Sequence, residues 1–198
     1  MRIVGGSHRG RRLKTPAGDA VRPTRDRIRE ALFNRLAHNK WRDVPLPRDA
    51  MVVDGFAGTG ALGLEALSRG AAHVVFLEND PVALDLLRQN AALFSAAESI
   101  TILGCDATRP GRARHPCDLV LLDPPYGRGL AAPALAAFAR GGWLTPGALT
   151  VIELNAKESF TPPPGFETLD ERRYGATRLI MLRWPGDHGA LYAGFLNP

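Results

Sequence analysis

Lysine, histidine, cysteine and long apolar runs are all scarce in this chain. No stretch approaches the ~20 apolar residues that cross a bilayer, and the basic N-terminus lacks the apolar segment of a secretory signal. Membrane association is therefore not expected, and a cytoplasmic setting is. The two cysteines, Cys105 and Cys117, form no Cys-x-x-Cys pair and read as small apolar residues near a sheet, in keeping with a reducing compartment. His8, His38, His73, His115 and His188 are scattered without metal-ligand spacing, so no metal is expected. Lysine occurs only at Lys14, Lys40 and Lys157, among 25 Lys and Arg in all.

What is present is arginine, unevenly placed. Through Arg42 there are 12 Lys and Arg against 3 Asp and Glu, and the remainder has 13 against 17. An arginine-rich genome explains the Arg/Lys ratio but not this asymmetry. A basic arm on a mildly acidic body points to an anionic partner, and arginine's planar fork suits phosphates and base edges. The 198 residues suffice for one domain with a sizeable core.

Residues 1–42 read as a basic arm and helix. A tight turn through Gly5-Gly6-Ser7-His8-Arg9-Gly10 joins Arg2-Ile3-Val4 to Arg12-Leu13-Lys14. A helix starts at Arg22 with Thr24 as its N-cap, and Ile28, Ala31, Leu32 and Leu36 form its apolar stripe. Arg22, Arg25 and Arg29 fall largely off that stripe. Val44-Pro45-Leu46-Pro47 is a linker. From there strands and helices alternate across residues 48–184: strands 50–54, 73–78, 100–104, 118–122 and 148–154, and helices 61–69, 81–94 and 131–140. This predicts an α/β domain with a mainly parallel sheet. Residues 168–174 and 176–183 flank Gly175 as an antiparallel pair. The tail, 185–198, reads as irregular and receives no role.

Two loops carry the chemistry. Asp54-Gly55-Phe56-Ala57-Gly58-Thr59-Gly60-Ala61-Leu62-Gly63 joins the first strand to its helix and contains G-x-G-x-x-G in strand–helix context. Glycine permits close backbone approach to a ligand, and Glu78, ending the second strand, is placed for ribose hydroxyls beside Asn79. A dinucleotide and S-adenosylmethionine compete as the ligand. A pyrophosphate would sit on the helix N-terminus, whereas Asp54 at the loop mouth suits a cationic amino-acid end. Asp106 and Ala107, after the third strand, suit an adenine amino group and ring nitrogen. The second loop is Asp123-Pro124-Pro125-Tyr126. Two prolines stiffen it, so the Asp123 carboxylate, the Pro124 carbonyl and the Tyr126 ring form a fixed set. That set suits a flat amino group, with two acceptors for its N–H bonds and a ring to stack on.

These motifs resemble a class I methyltransferase, and the tetrapeptide is similar to the [D/N]-P-P-[Y/F] motif of enzymes that methylate exocyclic or amide nitrogens. Gly5–Arg11, Arg22–Phe33 and Gly60–Gly70 resemble the bacterial 16S rRNA guanine-966 N2-methyltransferase (RsmD) family. The likeness runs from Arg2 to about Trp184. Tyr126 departs from the Phe of many members, though either ring can stack.

The resemblance implies a Rossmann-like, seven-stranded, mostly parallel sheet with an antiparallel last pair. It implies S-adenosylmethionine as cofactor and 16S rRNA of the small ribosomal subunit as substrate, and a monomer is expected. Asp123, Pro124 and Tyr126 are the candidate catalytic residues. Asp54, Gly55, Phe56, Ala57, Gly58, Thr59, Gly60, Glu78, Asn79, Asp106, Ala107 and Asp123 are the candidate cofactor contacts. Arg9, Arg11, Arg12, Lys14, Arg22, Thr24, Arg25 and Arg29 are the candidate RNA contacts. Three rivals stay open: an N-methyltransferase acting on adenine N6 or a protein glutamine, a nicotinamide oxidoreductase, and a non-catalytic RNA-binding module.

Overall fold

The computed structural model describes residues 1–16, 23–38, 40–41, 44–94 and 97–186. Arg22 and the tail beyond Gly186 lie outside the described residues. Seven strands form one sheet: β1 (Met51–Gly55), β2 (His73–Glu78), β3 (Ile100–Gly104), β4 (Cys117–Leu122), β5 (Leu144–Asn155), β6 (Glu167–Tyr174) and β7 (Thr177–Trp184). Their order is β3-β2-β1-β4-β5-β7-β6. β1 to β5 are parallel, and β7 runs antiparallel to both β5 and β6. The expected α/β sheet with its reversed last pair is the observed one.

β1 and β4 are near-continuous apolar runs because both of their faces are covered. One face packs against α1 (Pro23–Ala37), α2 (Ala61–Ser68) and α3 (Pro81–Ala91), the other against α4 (Ala131–Arg140). β5 starts four residues earlier than expected. Pro146-Gly147 reads as a breaker in sequence, but the β4–β5 register slips between Cys117 and Leu119 and accommodates it. No helix among the described residues is long and apolar enough to cross a membrane.

Strand order turns outward on both sides of β1, since β2 lies on one flank and β4 on the other. This switch point opens a crevice at the carboxyl ends of the strands. Asp54, Glu78, Asp123 and Glu153 all sit at that edge.

The N-terminal arm is part of the core. Arg2 and Arg12 form an antiparallel bridge, and Ile3 and Leu13 are buried with Ile28, Leu32, Phe33 and Leu36 of α1. Gly6, at φ 76°, lies so close to the Ser68 carbonyl that a Cβ would collide with it. Ser7 N–H donates to that carbonyl at 2.7 Å, and His8 N–H donates to Ser68 Oγ at 2.9 Å.

Beneath the arm lies Glu65, 0 % exposed. Its Oε2 accepts from Val4 N–H at 2.8 Å and its Oε1 from Arg69 Nε at 2.7 Å. Arg29 Nε stands 3.6 Å from Oε2, an ion pair too long for a hydrogen bond. Arg29 is itself only 5 % exposed, and its Nη2 donates to the Arg2 carbonyl and to Asp26 Oδ1. The expectation that Arg29 contacts RNA phosphate is therefore corrected: the arm folds over this side of α1 and buries the guanidinium. Thr24 is corrected as an N-cap, since the helix begins at Pro23 and Thr24 lies in its first turn.

Glu65 thus joins the arm, α1 and α2. Glu65→Ala leaves Arg29 and Val4 N–H short of a buried partner and is expected to cost about 3 kcal/mol. Urea denaturation measures this, and a loss under about 1 kcal/mol would contradict the linkage.

Candidate active site

The glycine loop is held from below and from the side. Asp54, 1 % exposed, accepts from Gly63 N–H at 2.8 Å. This corrects its expected place at the loop mouth: its carboxylate lies under the loop and fixes the start of α2. Glu78 accepts from Gly58 N–H at 2.7 Å through Oε2, and from Asn79 and Asp80 N–H at 2.8 Å through Oε1. Three donors leave a carboxylate one of its roughly four lone-pair positions for a ligand hydroxyl.

The three glycines of the motif have different reasons. Gly58, at φ 56°, has open space where a Cβ would stand, as a ligand-facing turn requires, whereas Cβ atoms on Gly60 and Gly63 would strike Leu87 and Phe76. Gly55 is packed against Leu122, leaving no room for a side chain. Phe56 adopts φ 61°, a left-handed conformation that costs a non-glycine residue ~1–3 kcal/mol. Ala57 N–H returns to the Leu77 carbonyl, tying the loop to β2.

Asp106 spends Oδ1 on Thr108 N–H and Oγ, both at 2.8 Å, and Ala107 is buried beside it. Asn90, fully buried on α3, was not foreseen. Its Nδ2 donates to the Thr59 carbonyl at 2.9 Å and the Lys14 carbonyl at 3.0 Å, while its Oδ1 accepts from Lys14 N–H at 2.7 Å. One side chain therefore fixes both the glycine loop and the end of the arm.

Asp123-Pro124-Pro125-Tyr126 leaves β4 directly beside this loop, since Gly55 pairs with Leu122. Pro124 is buried, and Tyr126 is 46 % exposed. Asp123 is solvent-exposed, though protein atoms lie densely around it. The parallel register that pairs Leu122 with Ile152 sets Glu153 of β5 next to Asp123. Glu153 is the second residue that sequence reading missed. Its signal is an acid inside the run Leu149-Thr150-Val151-Ile152-Glu153-Leu154. Tyr126 donates its hydroxyl to Glu153 Oε1 at 3.2 Å.

These acids crowd one another. Desolvation and then the Glu153 charge push the Asp123 carboxyl up to about 8, against the pull of Arg25. Burial raises Glu153 too, opposed by the Tyr126 hydrogen bond and by Arg25 and Arg29. Burial raises Asp54 well above its ordinary value, with Asp123 and Glu78 adding to the shift over the opposing Gly63 hydrogen bond. Tyr126 is raised to about 12, by burial first and Glu153 second. Arg25 thus faces the carboxylate pair from the start of α1. Neither cysteine competes as a nucleophile, because burial raises both thiols, Cys117 to about 12. Among the described residues no group of His, Cys, Asp and Glu could hold a metal ion.

Arg9, Arg11, Arg12, Lys14, Thr24 and Arg25 are all exposed. Arg11 lies over the Phe94 ring at 5.6 Å, and Lys14 Nζ donates to Gln89 Oε1 at 2.6 Å. The arm thus presents exposed cations, and Arg25 of α1 stands near the Asp123–Glu153 pair.

Carboxyl groups raised in the folded state bind protons that the unfolded chain releases. Their stabilising contribution is complete below the unfolded values near 4 and falls as pH rises through the folded ones. Asp123→Asn should therefore raise the apoprotein's Tm, and by more at pH 8.5 than at pH 5. Thermal melts at both values check this, and a lower Tm for the variant at pH 8.5 would contradict the crowding.

The donor set fits S-adenosylmethionine. Gly58 leaves ligand space, and Glu78 and Asp106 keep acceptor capacity. The family model described as Conserved hypothetical protein 95 matches residues 1–183. The ribosomal RNA small subunit methyltransferase D of Escherichia coli K12 is 37% identical over 164 residues, covering 83% of this chain and 79% of that protein. The protein of the same name from Haemophilus influenzae is 35% identical over 179 residues, covering 88% and 89%. The solved structure of yhhF from Escherichia coli superposes with a TM-score of 0.77 at 35% identity, covering 94% and 98%. With the class I methyltransferase fold, the glycine loop and the Asp-Pro-Pro-Tyr turn in place, this chain belongs to the Conserved hypothetical protein 95 family, the RsmD methyltransferases.

Proposed function

We propose that this protein transfers a methyl group from S-adenosylmethionine to the exocyclic N2 of a guanine in 16S rRNA of the small ribosomal subunit, the guanine at position 966. The observation that carries the proposal is the Asp123–Tyr126 turn. It holds a carboxylate, a carbonyl and a half-exposed ring beside the glycine loop, with Arg25 acting on the carboxylate. The relatives' names supply the RNA, and the family resemblance supplies N2.

When bound, the cofactor supplies a methyl carbon already activated by a sulfonium, so what the protein must add is alignment. Glu78 and Asp106 hold its ribose and adenine, with the backbone of Phe56, Ala57, Gly58 and Thr59 against its remaining length. Asp123 and the Pro124 carbonyl accept the two N–H bonds of the base amine. That orients the nitrogen and draws its lone pair out of conjugation with the ring. Tyr126 stacks on the base, an interaction typically worth ~1–3 kcal/mol. No strong base is needed before transfer, since the amine proton can leave afterwards to the carboxylate pair or to water. Positioning of this kind can supply a large part of the rate. Arg9, Arg11, Arg12, Lys14 and Arg25 hold phosphates, which places the RNA without reading it. An adenine N6 substrate is the alternative that the same turn admits.

Asp123→Ala should lower methyl transfer to small-subunit RNA from a strain lacking the enzyme by at least about a hundredfold. Cofactor affinity should stay within a few-fold. Nucleoside mass spectrometry reads the product, and undiminished N2-methylguanosine would refute the mechanism.

Deleting the arm would unfold part of the core, so the RNA-binding role is better tested on its surface. Replacing Arg9, Arg11 and Arg12 by Ala should weaken RNA binding and flatten its dependence on log salt by up to about 0.7 for each phosphate no longer neutralised. Cofactor affinity and Tm should be preserved. An unchanged slope would remove these residues from the interface.

A further inference from the structure

The Asp-Pro-Pro-Tyr turn does not choose between guanine and adenine, because each base offers an exocyclic amine. The neighbouring ring position differs. Guanine carries an N1–H donor beside its N2 amine, whereas adenine carries a bare N1 lone pair beside its N6 amine. A second acceptor next to the amine site therefore favours guanine and opposes adenine.

Glu153 is that acceptor. It follows Ile152, whose register partner is Leu122, so its backbone lies beside that of Asp123. It stands at the end of a strand whose Leu149, Val151, Ile152 and Leu154 are buried, a place where an acid has no general structural advantage. Tyr126, the ring proposed to stack on the base, donates to its Oε1, and a carboxylate has a second oxygen. The charges of Arg25 and Arg29 on α1 favour its ionised form. Carboxylate, ring and amine acceptors thus surround one position in the crevice.

We propose that Glu153 is the residue that selects guanine, its carboxylate accepting the base's N1–H beside the N2 amine held by Asp123 and Pro124. This rests on the reading that a nucleobase amine occupies the Asp123 site. A site built to bond a donor rejects an analogue that lacks it, because its polar group is left desolvated and unpaired. Two neighbouring donors on one edge also exclude a glutamine side chain, whose amide nitrogen has a carbonyl oxygen as neighbour.

The test uses small subunits reconstituted with either guanosine or 2-aminopurine riboside at the target position. 2-Aminopurine keeps the 2-amine but has a bare N1. Wild-type protein should methylate the guanosine particle with a kcat/KM at least about tenfold higher. Glu153→Gln can turn an amide N–H toward the bare N1, so it should reduce that ratio about tenfold or reverse it, with a Tm no lower than wild type and S-adenosylmethionine affinity near it. Tyr126→Phe, which removes only the hydroxyl, should keep the wild-type ratio.

Equal use of both particles by wild type overturns the proposal without any variant. So does an unchanged ratio in Glu153→Gln, or a ratio in Tyr126→Phe that moves as it does in Glu153→Gln, which would make Glu153 a support for the ring. Absence of any transfer to the guanosine particle would instead overturn the proposed function itself.

Discussion

Carboxyl groups crowded at one edge of the sheet are the constraint on which the rest depends. Asp54, Glu78, Asp123 and Glu153 come from four adjacent parallel strands, and Asp106 follows the fifth. A parallel sheet brings all its carboxyl ends to one side, so acids at strand ends become neighbours whatever their distance in sequence. Desolvation raises Asp54, Asp123 and Glu153 above their ordinary values, and neighbouring carboxylates add to the shift at Asp54 and Asp123. Such an edge opposes folding, and its use is in binding: it favours ligands that bring positive charge or N–H donors. A sulfonium cofactor and a base amine bring both.

The basic N-terminal region answers that edge twice. The Arg25 charge favours the ionised forms of both Asp123 and Glu153, and the Arg29 charge favours ionised Glu153. Arg29 is held in place by Asp26, Glu65 and the Arg2 carbonyl, so the arm that looks like an RNA-binding extension also fixes a charge that acts on Glu153. Asn90 binds the other end of the arm to the glycine loop through Lys14 and Thr59. The RNA-facing surface and the cofactor loop are therefore parts of one packed unit.

Features carried by contiguous residues were legible in the sequence. The glycine loop, Glu78 and the proline-stiffened turn announce themselves because local backbone chemistry defines them, and the strand alternation follows from apolar runs of ordinary length. Features made by register or docking were not. Glu153 meets Asp123 only through the β4–β5 pairing, and Asn90 meets Lys14 across 76 residues of chain. Arg29 looks solvated on a helical wheel because nothing in α1 reveals that Arg2 will cover it. Asp54 looks like a ligand contact at the loop mouth, yet its nearest donor is Gly63 on the helix that the loop begins.

The most direct test of an acid-lined edge built for a cationic methyl donor is equilibrium binding by calorimetry, with S-adenosylmethionine and NAD titrated separately into the purified chain. The account predicts saturable binding of S-adenosylmethionine, weakened at least about tenfold by Glu78→Ala, and none of NAD. Binding of NAD in place of S-adenosylmethionine would contradict it.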